Sequence, residues 1–261
     1  INSTGVNGVT GTGVYVQGVN GGTISQNDIG NISSATGSTG QRNGIWLATG
    51  SNNITVERNR IHDISYTGTG GWPAEGIRIS NGGTGNTNIV IKNNMIFNIT
   101  ADGDSYTTYG GTYDPVGIYC FASAQSGIGI YNNSINLYGS TINLAGAYSI
   151  GIALDDGSIA DIRNNMISNT LGLLSGTGAG ALCIAVETGN TQLTNNNYNC
   201  YYSNPTTGVK GLVKVGTAGA DNLTMADVRT ATTKDQLSFN SLPLFVSSTD
   251  LHIQTSDLTL N

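Results

Sequence analysis

The chain of 261 residues carries 38 glycines, only 4 prolines, 38% hydrophobic and 10% charged residues, a profile in which regularly spaced Ile, Val and Leu still allow one buried core. Its 10 Lys and Arg against 16 Asp and Glu give a net charge of −6 with no basic cluster, which argues against nucleic acid as a partner and repels polyanionic glycans unless a cation intervenes. No apolar run reaches the roughly 18 residues of a membrane span, so no membrane insertion is expected, and 3 cysteines, an odd count, give no disulfide framework.

The first predicted element is the short strand GVYV, with Val14 and Val16 inward. It is followed by TISQNDIGNIS, in which Asn27 lies between Ile24 and Ile29. The same pair of elements returns as GIWL with ITVERNRIHDIS around Asn59, GIRI with IVIKNNMIFNIT around Asn94, and GIYC with IGIYNNSINLYG around Asn133. It returns again as GIAL with IADIRNNMISNT around Asn165, and as ALCI with TQLTNNNYNCYY around Asn196. The six asparagines are separated by 32, 35, 39, 32 and 31 residues. The position three before each is Ile24, Val56, Ile91, Ile130, Ile162 or Leu193, and the position two after is Ile29, Ile61, Ile96, Ile135, Ile167 or Tyr198.

Three short period-2 strands per unit, with no helical stretch between them, describe one rung of a parallel β-helix. Rungs stacked about 4.8 Å apart place equivalent residues above one another. The asparagines then form an internal ladder in which each carboxamide donates to the next and no turn group is left buried and unpaired. A sandwich of hairpins gives no reason for an Asn register kept over six units. Ile1 stands where the residue after a ladder Asn would stand, so the first rung reads as cut in mid-turn, with the chain continuing upstream.

After Tyr202 the rhythm stops. LTMADVRTAT, with Thr224 as N-cap and Leu223, Val228 and Ala231 on one side, predicts a short helix, and SLPLFVSSTDLHIQ predicts a strand pair. Residues 1–203 therefore read as parallel β-helix coils and residues 204–261 as a C-terminal cap of the same domain, because exposed solenoid ends need covering.

Over residues 12–203 these units resemble the repeats of the pectate-lyase-like superfamily. The resemblance implies an all-β, right-handed parallel β-helix with the Asn ladder at the turn between its second and third sheets. It also implies a ligand face on the outer side of the first sheet. The closing segment, NNNYNCYYSN with ADVRTATTKDQLSFNSLPLFVSSTDLHI, resembles the ends of secreted proteins of Bacteroidota, which implies a secreted or cell-surface location within a larger, multimodular protein.

Alternation places Tyr15, Trp46, Arg78, Tyr119, Ala153 and Cys183 outward on the first sheet, with Gln17, Ala48, Ser80, Phe121, Asp155 and Ala185 two residues on. Cys120 should face the core. The loops YTGTGGWPAE and ADGDSYTTYGGTYDP bring Trp72, Glu75, Asp102, Asp104, Tyr113 and Asp114 towards Trp46, Arg78 and Tyr119. Aromatic rings repeated once per rung suit the CH faces of sugars, so Trp46, Trp72, Arg78, Tyr113 and Tyr119 form a candidate carbohydrate face. The alternative is that stacked aromatics and one Arg support the sheet as neighbouring-strand pairs and a cation–π contact.

A lyase or hydrolase on this face would draw on Glu75, Arg78, Asp114, Asp155 and Asp156, the last two faintly like the paired Asp of polygalacturonase-like enzymes. That family's His-Gly and Arg-x-Lys elements have no counterpart here. Asp102 and Asp104 open a D-x-D pair that lacks a further ligand at the next alternate position, so Ca²⁺ stands only as a weak expectation there, with Asp114, and no cofactor is called for. The leading expectation is a non-catalytic extracellular module of a larger surface protein. It would act as a rigid stalk or adhesin, with flanking modules and a polysaccharide or cell-surface glycan as partners. The alternatives are a polysaccharide lyase or glycoside hydrolase on the same face, or a structural filament segment joined end to end.

Overall fold

A computed structural model describes residues 11–35, 42–80, 85–103, 114–121, 126–139, 147–155, 157–172, 180–217 and 219–254. Asp104, Tyr113, Asp156 and the reading of the first rung at Ile1 lie outside these residues.

Six strand triplets follow one another. They are β1 (Thr12–Val16), β2 (Asn20–Ser25) and β3 (Asp28–Ser34), then β4 (Arg42–Leu47), β5 (Asn52–Glu57) and β6 (Arg60–Tyr66). Next come β7 (Ala74–Ser80), β8 (Val90–Lys92) and β9 (Met95–Thr100), then β10 (Pro115–Phe121), β11 (Ile128–Tyr131) and β12 (Ser134–Leu137). The last two are β13 (Tyr148–Asp155), β14 (Ala160–Arg163) and β15 (Met166–Asn169), then β16 (Gly180–Val186), β17 (Leu193–Asn197) and β18 (Cys200–Ser203). Each strand pairs in parallel with its counterpart in the next triplet, so the first, second and third strands build three separate sheets. This is an all-β parallel solenoid, as the periodicity required.

The inward columns are the apolar ones. Ile45, Ile77, Ile118, Ile152 and Ile184 stack in the first sheet, and Val56, Ile91, Ile130 and Ile162 in the second. Ile29, Ile61, Ile96, Ile135, Ile167 and Tyr201 stack in the third, and all of these are buried. Cys120 lies among them, as expected.

At the turn between the second and third sheets the asparagines form the ladder. The backbone N and Nδ2 of Asn27 donate to Asn59 Oδ1 at 3.1 and 2.9 Å, and Asn59 donates in the same way to Asn94 at 3.0 Å for both bonds. The pattern repeats through Asn133 and Asn165. The residue before each rung's Asn holds a left-handed φ: 58° at Gln26, 54° at Arg58, 56° at Asn93, 54° at Asn132 and 58° at Asn164.

The sixth member differs from the sequence reading. Asn165 donates to Asn199, not Asn196, and Tyr198 before it takes the left-handed φ of 58°. A register shift between Ala160 and Asp161 sets Asn196 beside Ile162 on an inward position. The apolar rule fails there because this rung meets a polar plug. Asn196 Nδ2 donates to Asp235 Oδ2 at 2.5 Å, and the Tyr201 hydroxyl donates to Asp235 Oδ1 at 2.8 Å.

The sixth strand of the first sheet is also displaced by two from the expected frame: Ala185, not Cys183, continues the outward column Tyr119–Ala153. Cys183, expected at the surface, is buried in the main core. It follows a column of glycines at 13, 44, 76, 117 and 151 whose missing side chains make room for the third sheet. A Cβ at Gly76 would lie 2.6 Å from Ile96 Cγ2 and 2.5 Å from the Gly117 carbonyl oxygen, and at Gly151 2.4 Å from Ile167 Cγ2.

Past residue 203 the first sheet gains β19 (Val209–Val215) in parallel and β20 (Asp221–Asn222) in antiparallel orientation, and the third gains β21 (Phe239–Asn240). The expected helix is α1 (Met225–Thr232), with Thr224 as N-cap in a reciprocal capping box with Asp227. Its Val228 is buried in the core while Leu223 is exposed. The expected strand pair is a short hairpin closed by one antiparallel bridge, Phe245 to Ile253. This segment runs back beside the third sheet, where the Ser248 carbonyl accepts from Asn136 Nδ2 and Leu251 is buried.

Candidate functional site

Parallel register lines up Tyr15, Trp46, Arg78 and Tyr119 on the outer side of the first sheet. Tyr15 meets Trp46 edge-on at 5.1 Å between ring centroids, and the Arg78 guanidinium carbon lies 5.6 Å from Trp46, 5.1 Å from Tyr119 and 5.4 Å from Phe121. One cation is thus held among three aromatic rings, a stack in which the negative ring faces meet a delocalised charge.

Three side-chain hydrogen bonds tie this column together. Arg78 Nη1 donates to Glu75 Oε1 at 2.6 Å, the Tyr119 hydroxyl donates to Asp155 Oδ2 at 2.7 Å, and Trp46 Nε1 donates to Ser80 Oγ at 2.6 Å. The outward direction was legible in the sequence but the exposure was not. Glu75 and Tyr119 are fully buried and Arg78 is 3% exposed, whereas Trp46 and Phe121 are half-buried. Towards the cap the same face becomes apolar, with Val116, Ile150, Leu182 and Ala185 forming a buried cluster apart from the main core.

Burial pushes the Glu75 carboxyl above its ordinary range; the Arg78 charge opposes that shift and the Asp155 charge adds to it. Burial likewise pushes the Cys120 thiol up, again with Asp155 adding. Glu75 Oε2, Arg78 Nε and Asn43 Oδ1 are buried and find no hydrogen-bond partner among the described residues. Asn43 is the register neighbour of Glu75, and sequence reasoning missed it. The signal was its place just before the Gly-Ile pair, the same place that Glu75 occupies one rung on.

The remaining candidates are scattered. Trp72 packs against the main core. Asp102 Oδ2 accepts from the Gly71 backbone at 3.2 Å, and Asp114 Oδ1 accepts from the Tyr148 backbone at 3.2 Å. No group of three His, Cys, Asp or Glu side chains able to hold a metal occurs among the described residues. On the third sheet His62 is buried, stacked on Phe97 at 5.1 Å, with its Nε2 and Nδ1 each 2.6 Å from a carboxylate oxygen, of Asp28 and Asp63. No protein-family model, curated protein or solved structure matches the chain.

Proposed function

We propose that the chain is a rigid, non-catalytic β-solenoid module of a larger extracellular surface protein, a stalk whose first sheet meets carbohydrate at the Trp46 edge of its outer face. The observation that carries this reading is the closed Trp46–Arg78–Tyr119 column. The groups that would do chemistry on a sugar, Arg78, Glu75, Tyr119 and Asp155, are spent on one another and stiffen the stack. Its margin, the half-buried Trp46 and Phe121 with the exposed Tyr15 beside Trp46, reaches solvent as ring surface for the CH face of a sugar. Arg78 and Tyr119 stack against that margin on the same outer face, whereas Trp72 packs on the main core. A glycan array with wild type and Trp46→Ala tests the reading: retained glycans should be lost on substitution, and binding indifferent to Trp46 would contradict the assigned face.

One observation favours a second reading, a polysaccharide lyase or hydrolase. A buried Glu75 carboxyl with a raised pKa near the Asp155 charge is the state a general acid needs. Release of unsaturated uronate or new reducing ends from a polysaccharide panel, abolished by Glu75→Gln, would establish it and overturn the stalk reading.

A further inference from the structure

At the corner where the sixth triplet meets the cap, a cleft of about 530 Å³ opens between β18, β19 and β21, within the size range of small-ligand sites. Its apolar side includes Leu212, which is buried, and Leu223, which is more than half exposed ahead of α1. Its polar side holds Tyr202, Asn204, Lys210 and Asn240. Lys210 Nζ donates to Asn204 Oδ1 at 2.6 Å, and Asn204 Nδ2 donates to the Tyr202 hydroxyl oxygen at 3.2 Å. This relay holds the three side chains together and consumes one ammonium proton, leaving the Tyr202 hydroxyl proton and two ammonium protons for an acceptor.

Charge narrows the class of ligand. The chain carries 16 acidic residues, yet among the described residues no carboxylate lines this cleft and Lys210 is the one charged group in it. A single cation within a protein of net charge −6 matches one carboxylate, because a polyanion would meet the repulsion of the whole molecule beyond that one contact. The Tyr202 ring and the leucines offer apolar surface to the CH side of a sugar ring, and the Asn240 amide offers both a donor and an acceptor to its hydroxyls.

We propose that this cleft binds the single acidic sugar at the end of a glycan chain, its carboxylate on Lys210 and its ring against Tyr202 and Leu223. The proposal rests on the surface-glycan reading but uses a different site, so the two fail separately. The probe is a disaccharide ending in glucuronate, titrated into the full chain by NMR beside its neutral glucose counterpart. The acidic disaccharide should saturate and shift the amides of residues 202–212, with the neutral one bound about tenfold more weakly or worse. Lys210→Gln should cost about tenfold in affinity and remove most of its salt dependence. Tyr202→Ala should weaken both sugars, whereas Trp46→Ala should change neither. Equal binding of the two disaccharides, undiminished binding by Lys210→Gln with an unchanged melting temperature, or no saturation by the acidic probe would overturn the proposal. Loss of binding in Trp46→Ala alone would instead assign the sugar to the first sheet.

Discussion

Within the ladder, burial decides what each asparagine is worth. Asn94 accepts from Asn59 and donates to Asn133 and to the Val56 and Lys92 carbonyls, all in the buried stack, whereas Asn27 is exposed at its end. Asn94→Ala should cost about 1–3 kcal/mol in urea unfolding, because it strands the Asn59 N–H, and Asn27→Ala clearly less. Gly76→Ala should cost a similar amount, about 1–3 kcal/mol, through overpacking against Ile96 and the Gly117 carbonyl, while Gly11→Ala, with nothing near its Cβ, should be neutral. Glu75 sets a pH dependence. A carboxyl whose pKa is higher in the folded chain stabilises fully below its ordinary value of 4.5 and loses that contribution as pH rises through the folded value. Unfolding free energy should therefore fall by more in wild type than in Glu75→Gln as pH rises above 4.5, and equal slopes in the two would remove Glu75 as the cause. The apolar columns were legible because inward side chains have one dominant requirement. The burial of Arg78 and Glu75 was not, because alternation gives a side chain's direction and says nothing of what lies over it.

Elements read well wherever a local rule governs them. α1 was legible from Thr224 as N-cap and the apolar side of Leu223, Val228 and Ala231, and Thr224→Ala should cost about 1 kcal/mol as the capping box with Asp227 is lost, measured by thermal or chemical unfolding. The sixth triplet read poorly because two local rules give way there together. Cys183 replaces the glycine of the earlier rungs, and Tyr201 replaces the isoleucine that faced it. Asn196 takes an inward position because Asp235, brought over by the cap, supplies its partner. Burial pushes both the Tyr201 hydroxyl and the Asp235 carboxyl above their ordinary ranges, so this plug joins a neutral donor to a carboxyl reluctant to ionise. Tyr201→Phe should destabilise the chain by about 1–3 kcal/mol, since it removes the donor to Asp235 at a buried site. The better signal for the ladder was the left-handed residue before each Asn: Tyr198-Asn199 follows Arg58-Asn59, Asn93-Asn94, Asn132-Asn133 and Asn164-Asn165 in that respect.

Across the whole molecule, one sheet-to-sheet geometry repeated from β1–β3 to β16–β18 gives a column of about 24 Å between first and sixth rungs, covered at the C-terminal end by β20, β21 and α1. The Ser238 hydroxyl accepts from the Asn199 N–H where a further ladder Asn would stand, so a second copy stacking on that end would have to displace the cap. Sedimentation should accordingly show no growth of assemblies with concentration, and growth would revive the filament reading. The fold was legible because its period is written six times over. Function was not, because sheet-facing aromatics and acids serve packing and recognition with the same residues. The stacked carboxamides are the foundation of the whole description, and side-chain hydrogen exchange followed by NMR addresses them directly. The Nδ2 protons of Asn59, Asn94, Asn133, Asn165 and Asn199 should exchange slowly and together, at the rate of global unfolding. Exchange of Asn94 or Asn133 as fast as that of the exposed Asn53 and Asn88 side chains would contradict the stack.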